Sequence, residues 1–358
     1  MHTQLDSFCI GPSKSIHDAI RLMDKGRIGI VLVVDTEYHL LGTVTDGDIR
    51  RAILANVDIA LPVDNLLERK EGTRFSNPVT SRVGKDRSTY LNLLKQHRIH
   101  HLPIVDEGGH LVGLVTSDDF LPDQTLPVQA VVMAGGKGSR LHPLTREKPK
   151  PLLDVGGRPL LEIIIQQLQE AGIQKVKVAT HHQAKMIKEH FGDGRNYGVD
   201  LSFTEEDRPL GTGGGLGLLE IPCETTLVMN GDILTQVDFR AMLMFHREHR
   251  ADLTIAVRSY EIKIPYGVVE CDGPVVSGVR EKPVMTHFIN AGIYLLEPLV
   301  YGYIPKGQRF DMTDLIQGLI DDGRLITSFP IRENWMDIGQ HADYEEAQKQ
   351  VTDWEMRK

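Results

Sequence analysis

The chain has 358 residues, 41% apolar and 25% charged, with 40 Lys and Arg against 49 Asp and Glu and a net charge of -9. This composition excludes a disordered or low-complexity chain and leaves room for two globular cores, while the net acidity argues against broad nucleic-acid binding. No run approaches a membrane span, the start lacks a signal-peptide pattern, and Cys9, Cys223 and Cys271 are too few and scattered for a disulfide framework or zinc site, so a reducing, cytoplasmic setting is expected.

The first third repeats itself. Gly42-Thr-Val-Thr-Asp-Gly-Asp48 and Gly113-Leu-Val-Thr-Ser-Asp-Asp119 are offset by 71 residues, and the register holds upstream through Val34-Asp35 and Val105-Asp106, Arg27-Ile28 and Arg98-Ile99, and Leu22-Met23 and Leu93-Leu94. Each copy reads as an amphipathic helix, a β-branched strand, a polar turn, a second strand and a Thr-x-x-Asp entering another helix. The pattern resembles a tandem pair of cystathionine-β-synthase (CBS) domains, an α+β module over 1–122 with repeats at about 1–65 and 72–122. That resemblance implies a regulatory or dimerising unit, a homo-oligomer formed through it, and a possible adenine nucleotide whose ribose would meet Thr45 with Asp48 and Thr116 with Asp119. The same residues are also ordinary helix caps.

Residues 121–128, LPDQTLPV, carry two prolines and no periodicity, which puts a linker at 123–128 and the boundary near Asp123 to Thr125. The apolar run Ala130 to Ala134 then reads as a buried strand running straight into Gly135, Gly136 and Gly138, where the backbone must turn and expose amides. Behind this turn stand Lys137, Arg140, Arg146, Lys148 and Lys150 against one acid, Glu147. Cations are concentrated here in an otherwise acidic chain, which points to a polyphosphate. A helix is expected over Pro159 to Ala171 with Gly172 as its stop, then a strand near Lys175 to Ala179, a helix near Gln183 to Phe191, and strands near Leu201 and from Thr226 to Met229. Alternating strands and helices predict an α/β, Rossmann-like, mostly parallel sheet over 129–358, with ligands beyond the carboxyl ends of the strands.

GGKGSR fits neither the G-x-x-x-x-G-K-[ST] loop nor G-x-G-x-x-G. Gly135 to Leu141 followed by Pro149 to Leu152 resembles instead the signature of the sugar-1-phosphate nucleotidylyltransferases. PLGTGG (Pro209 to Gly214), MNGDIL (Met229 to Leu234), REKP (Arg280 to Pro283), INAGIY (Ile289 to Tyr294) and WMDIG (Trp335 to Gly339) follow in that family's order. The resemblance implies nucleotide contacts from Ala134, Gly135, Gly136, Gly138, Gly211 and Thr212, with a weaker one from Glu206. It implies Arg140 on the departing pyrophosphate, Lys150 at the reacting phosphates, Glu281, Lys282 and Asn290 on the sugar phosphate, and Mg²⁺ on Asp232 and Asp337. Thr212 to Gly215 departs from the alanine-bearing form of many relatives, which suggests a more flexible loop.

The implied reaction joins an NTP to a sugar-1-phosphate with loss of pyrophosphate. The nucleophile is already an anion, so no general base is needed, and the burden falls on cations and metal offsetting repulsion between the two substrates. The CBS combination resembles the guanylyltransferases that activate glucosamine-1-phosphate in legionaminic acid pathways. That favours GTP with glucosamine- or mannose-1-phosphate; UTP or dTTP use, or a catalytically silent nucleotide-sugar sensor, are the alternatives. His100-His101 and His181-His182 lack ligand partners at metal spacing; His246 and His249 are expected on a solvated helix face, and Met242 and Met244 in packing.

Overall fold

The computed structural model describes residues 2–3, 5–26, 28–73, 76–120 and 125–355. Arg27 of the repeat alignment and 121–124, with most of the expected boundary, lie outside the described residues. The chain divides into two compact units, Met1–Gln124 and Thr125–Lys358.

In the first unit the repeat is carried by structure residue for residue. The helix Ile16–Gly26 and strands Ile30–Val34 and Leu40–Thr45 recur as Arg87–His97, His101–Val105 and Leu111–Thr116, each bound displaced by 71. Even the irregularity in the hairpin repeats, between Val33 and Val34 and between Ile104 and Val105. The two hairpins meet at an antiparallel bridge between His39 and His110, whose rings stack at 4.3 Å. Each ring is held through Nδ1 by its own aspartate, Asp35 or Asp106. The copies then diverge: Thr45 opens a helix, Asp46–Leu54, but Thr116 opens only a 3-10 turn, Ser117–Phe120.

The second unit is built on a seven-stranded sheet. Its strands, in chain order, are β1 (Gln129–Ala134), β2 (Lys175–Thr180), β3 (Asp200–Glu205), β4 (Thr226–Asn230), β5 (Leu253–Lys263), β6 (Val284–Leu296) and β7 (Ile326–Pro330). Their spatial order is β3-β2-β1-β4-β6-β5-β7. Strands β3, β2, β1 and β4 are mutually parallel, β6 runs antiparallel to both neighbours, and β7 is parallel to β5. This is the expected α/β, mostly parallel architecture, with β4 at its centre and β1 beside it.

The helices cover the sheet for the reasons their sequences give. Leu160–Glu170 buries Leu160, Leu161, Ile163, Ile164, Ile165 and Leu168, each contributing about 1.5–3 kcal/mol of transfer free energy. It stops as expected at Gly172, with φ +89°. Met312–Asp321 sets Met312, Leu315 and Leu319 against Val131, Val228, Leu253 and Leu296 of the sheet. Phe239–His249 corrects one expectation: His246 is 1% exposed, with Nδ1 2.7 Å from Thr254 Oγ1 and Nε2 3.0 Å from Glu297 Oε1. It lies on the buried stripe of Phe239, Met242 and Leu243, three and four residues from its neighbours on that face. Burial holds its imidazole below the usual histidine range, despite the opposing hydrogen bond to Glu297.

Candidate active site

The site forms where β1 and β4 end side by side. Gly231, one residue beyond β4, donates its N–H to Met133 O at 2.8 Å. A Cβ there would lie 2.9 Å from that oxygen and 3.2 Å from Ala134 Cβ, so only glycine lets the Asn-Gly-Asp turn lie flat against β1. Asp232 is thereby fixed at the carboxyl edge of the sheet. A two-stranded ribbon completes the arrangement: Ile233–Thr235 pairs antiparallel with Trp335–Asp337, Ile233 opposite Asp337. Ile338 N–H bonds Asp232 O, and Trp335 Nε1 anchors on Ala291 O at 2.8 Å. Two aspartates far apart in sequence thus share one floor.

The glycine-rich turn brings the cations to that floor. Gly138 is left-handed, φ 62° and ψ 23°, ahead of the 3-10 turn Ser139–Leu141. Its carbonyl accepts Thr145 Oγ1 at 2.7 Å, and a Cβ there would meet Thr145 Cγ2 at 2.9 Å and Lys150 Cβ at 3.4 Å. The loop therefore folds back onto Lys150, whose Nζ reaches Asp232 Oδ2 at 2.7 Å with only 11% of the side chain exposed. Arg140 is placed by a second absence of a side chain: a Cβ on Gly339 would lie 3.4 Å from Arg140 Nη1 and 3.6 Å from Asp337 Oδ1.

The electrostatics tie the four together. Partial desolvation and then the neighbouring charge of Asp232 raise the Asp337 carboxyl above its usual range, while Lys150 and Arg140 pull it down. Arg140, Lys150, Asp232 and Asp337 are thus one cluster. The described residues contain no group of three or more His, Cys, Asp or Glu placed to hold a metal ion. The two carboxylates on one floor nonetheless fit Mg²⁺, which commonly takes one or two protein carboxylates and leaves its other positions to water and phosphate.

The remaining candidates fall into three groups. Asn290, on β6, accepts Gly292 N–H at 3.0 Å and donates to Tyr294 Oη at 2.9 Å. A Cβ on Gly292 would strike Asn230 Nδ2 at 2.6 Å, so Asn290 is held beside the Asn-Gly-Asp turn. Glu281 and Lys282 are exposed, 4.0 Å apart, and make no hydrogen bond or ion pair to the four-residue cluster among the described residues. Lys282 carries φ +44°, unusual outside glycine.

Gly211 and Thr212 serve a contact the sequence did not announce. Gly211, at φ +84°, leaves room for Phe310 O and Asp311 Oδ1, which a Cβ would meet at 2.7 and 2.5 Å. Thr212 Oγ1 accepts Met312 N–H at 2.9 Å, at the start of Met312–Asp321. Gly213, Gly214 and Gly215 are buried, and a Cβ on Gly214 would lie 2.6 Å from Gln308 O. The expected flexible loop is a packed one.

Glu206 is the residue whose weight the sequence understated. It is 5% exposed; Oε2 accepts Leu210 N–H at 3.0 Å, and its carbonyl meets His181 Nδ1 at 2.7 Å. Oε1 has no hydrogen-bond partner among the described residues and lies where Cβ atoms on Gly135 or Gly215 would approach to 3.4 or 2.6 Å. Burial raises this carboxyl, against the Leu210 hydrogen bond and His181. The glycines on both sides were legible; their convergence on one acid was not.

In the first unit, Thr45 and Asp48 form a reciprocal cap: Asp48 Oδ2 accepts Thr45 N–H at 2.8 Å and Thr45 Oγ1 accepts Asp48 N–H at 3.4 Å. Thr116 and Asp119 repeat it at 2.8 and 3.3 Å. Asp48 also meets Lys70 Nζ at 2.5 Å and Arg51 Nη2 at 2.7 Å, so its carboxylate is satisfied internally.

Comparison with known proteins gives this geometry a context. The CBS domain profile matches residues 1–55 and 91–122. A mannose-1-phosphate guanylyltransferase of Mycobacterium tuberculosis is 34% identical over 227 residues, 62% of this chain and 63% of that protein. A UTP–glucose-1-phosphate uridylyltransferase of Synechocystis is 32% identical, over 64% of this chain and 65% of that protein. The chain thus spans less than two thirds of the length of these relatives. The fold is shared with a crystal structure assigned as a glucose-1-phosphate thymidylyltransferase from Bacillus anthracis, at TM-score 0.53 and 24% identity over 63% of this chain and 95% of that one. HddC from Yersinia pseudotuberculosis superposes at TM-score 0.50, also at 24% identity, over 63% and 100%. The nucleotidyl transferase profile matches residues 129–354, which hold β1, the glycine turn and both aspartates, and the chain belongs to that family.

Proposed function

We propose that the second unit transfers a nucleoside monophosphate from an NTP to a sugar-1-phosphate, releasing pyrophosphate. The observation that carries this reading is the junction of Arg140, Lys150, Asp232 and Asp337 at the end of β1, because in-line attack of one phosphate on another requires positive charge and little else. Gly135, Gly136 and Gly138 offer backbone amides to the triphosphate, Arg140 draws off the leaving pyrophosphate, and Lys150 neutralises oxygens at the reacting phosphorus. Asn290 orients the sugar, and Glu281 and Lys282, the latter in a strained conformation, engage its phosphate and hydroxyls. Asp232 and Asp337 would hold Mg²⁺, which when bound lends further charge compensation to the phosphates.

For the base we favour guanine. Glu206, whose Oε1 has no protein hydrogen-bond partner among the described residues, is acceptor-only when ionised, and guanine presents two adjacent donors on its pairing edge, whereas uracil and thymine present one between two acceptors. Guanylyl transfer from GTP is the reading this supports; mannose-1-phosphate as the acceptor follows the guanylyltransferase relatives, and glucosamine-1-phosphate, in a cytoplasmic route to surface glycans, follows the resemblance of the CBS combination. The CBS pair regulates or dimerises the enzyme. Its two Thr and Asp pairs are occupied as caps, so an adenine nucleotide would have to compete with Lys70 and Arg51 at Asp48.

Pyrophosphate release from each NTP with a panel of sugar-1-phosphates, with Mg²⁺ and with EDTA, tests the proposal. Turnover with GTP that EDTA abolishes is expected; no turnover with any pair would leave a nucleotide-sugar sensor. Raised melting of the first unit with an adenine nucleotide would assign it a ligand, and no shift would leave it dimerisation.

A further inference from the structure

Each of the two cations assigned to the phosphates sits in its own 3-10 turn, and both turns are tied to one helix. Arg140 is the middle residue of Ser139–Leu141, and His142 closes that turn by donating its N–H to Ser139 O. The carbonyl of the same residue is held from outside, with His341 Nε2 2.8 Å from His142 O. A carbonyl only accepts, so Nε2 carries the hydrogen and donates it. Lys150 opens Lys150–Leu152, which Leu153 closes through its N–H to Lys150 O. The next residue, Asp154, accepts Tyr344 Oη and Gln348 Nε2 on its backbone carbonyl, and Gly156 donates its N–H to Gln348 Oε1 at 2.9 Å. Gly156 is left-handed, φ +60°, and a Cβ on it would run into the buried Val351.

His341, Tyr344, Gln348 and Val351 follow one another at helical spacing and form one stripe of the helix His341–Glu355. That helix begins just after Asp337 in sequence, and between them Gly339 leaves room for Arg140 Nη1. We propose that the helix is a strap that holds Arg140 and Lys150 at fixed reach from Asp337, with His341 and Gln348 as positioning residues for the two cations. The inference rests on the nucleotidyl-transfer reading for what those cations do. Thr145 secures the glycine turn from within, but it is the helix that joins both turns to the segment bearing Asp337. Preorganised cations compensate phosphate charge without rearranging during the reaction, and a misplacement of about 1 Å can cost about 100-fold in rate.

Two measurements on the full chain test this: calorimetric binding of inorganic pyrophosphate, and pyrophosphate release with the NTP and sugar-1-phosphate pair that turns over. His341→Leu removes the donor and should weaken pyrophosphate binding roughly 3–10-fold, the worth of one hydrogen bond, with the KM for the sugar phosphate unchanged. His341→Gln, which puts an amide N–H in place of Nε2–H, should stay within about twofold of wild type. His341 is exposed, so both variants should melt within about 2 °C of wild type. Gln348→Leu should lower kcat roughly 3–10-fold with less effect on pyrophosphate. Pyrophosphate affinity and kcat equal to wild type in both His341→Leu and Gln348→Leu overturn the proposal. So does a loss in His341→Leu that His341→Gln fails to restore. A wild-type chain that binds pyrophosphate but turns over no pair refutes the transfer reading, while the affinities of the His341 variants still decide the strap. One without affinity for pyrophosphate refutes both.

Discussion

Replacing Lys150 by methionine removes one charge and keeps most of the volume. Lys150 Nζ lies 2.7 Å from Asp232 Oδ2, with the two side chains 11% and 27% exposed. Unit charges about 4 Å apart attract by about 4 kcal/mol at an effective dielectric of 20, and partial exposure cuts the net stabilisation to about 1–2 kcal/mol. Without the ammonium, Asp232 and Asp337 face one another against Arg140 alone, so K150M should lower the melting transition of the second unit by about 3–6 °C. Catalysis should suffer more. A cation aimed at charge developing in the transition state supplies about 3–4 kcal/mol, so kcat/KM should fall roughly 10²–10³-fold. Arginine should not rescue it, since its fork cannot take the place of a point charge. Pyrophosphate release and a thermal melt on the same preparation separate the two effects. A K150M enzyme within about threefold of wild type in kcat/KM would refute the assigned role of the lysine.

Three further expectations follow from the same geometry. Asp337→Asn should abolish turnover yet raise the melting temperature at neutral pH: the folded-state carboxyl is raised, so its ionisation penalises the fold above that value, and the difference from wild type should shrink as pH falls toward 3.8; equal melting at every pH would count against it. Glu206→Gln should cost GTP about 10–100-fold in kcat/KM with less effect on UTP, the result of losing one acceptor of a buried donor–acceptor match; an unchanged ratio of the two would remove Glu206 from base selection. His246, whose folded-state value is depressed, stabilises the fold above its unfolded value of 6.5 and loses that contribution as pH falls through it toward the lower folded value. Wild type should therefore lose melting temperature more steeply than His246→Gln between about pH 7.5 and about pH 5.5, and parallel curves would show that the imidazole does not titrate as its surroundings require.

What could be read from the chain was whatever local backbone geometry dictates. The β1-to-glycine turn, the Asn-Gly-Asp after β4 and the 71-residue repeat are contiguous, and glycine at Gly138 or Gly231 is demanded by neighbours within a few residues of the turn or by the adjacent strand. Contacts made with distant partners were less legible. Nothing local to Thr212 announces that its hydroxyl accepts the N–H of Met312, 100 residues on. His246 reads as solvated until Glu297, 51 residues on, arrives beneath it; its spacing from Phe239, Met242 and Leu243 was the signal available. Glu206 stood in plain view, but nothing local says that two glycine turns close over it.

The stacked imidazoles of His39 and His110 give the duplicated first unit a seam at which every substitution counts once instead of twice. In an assembly of identical halves, one mutation alters both sides of the junction together. Here the halves share a chain, so exchanging a single ring leaves its counterpart stranded beside an unchanged aspartate, and the module becomes lopsided. Keeping both rings stacked against their aspartates therefore requires any change at one position to be matched 71 residues away.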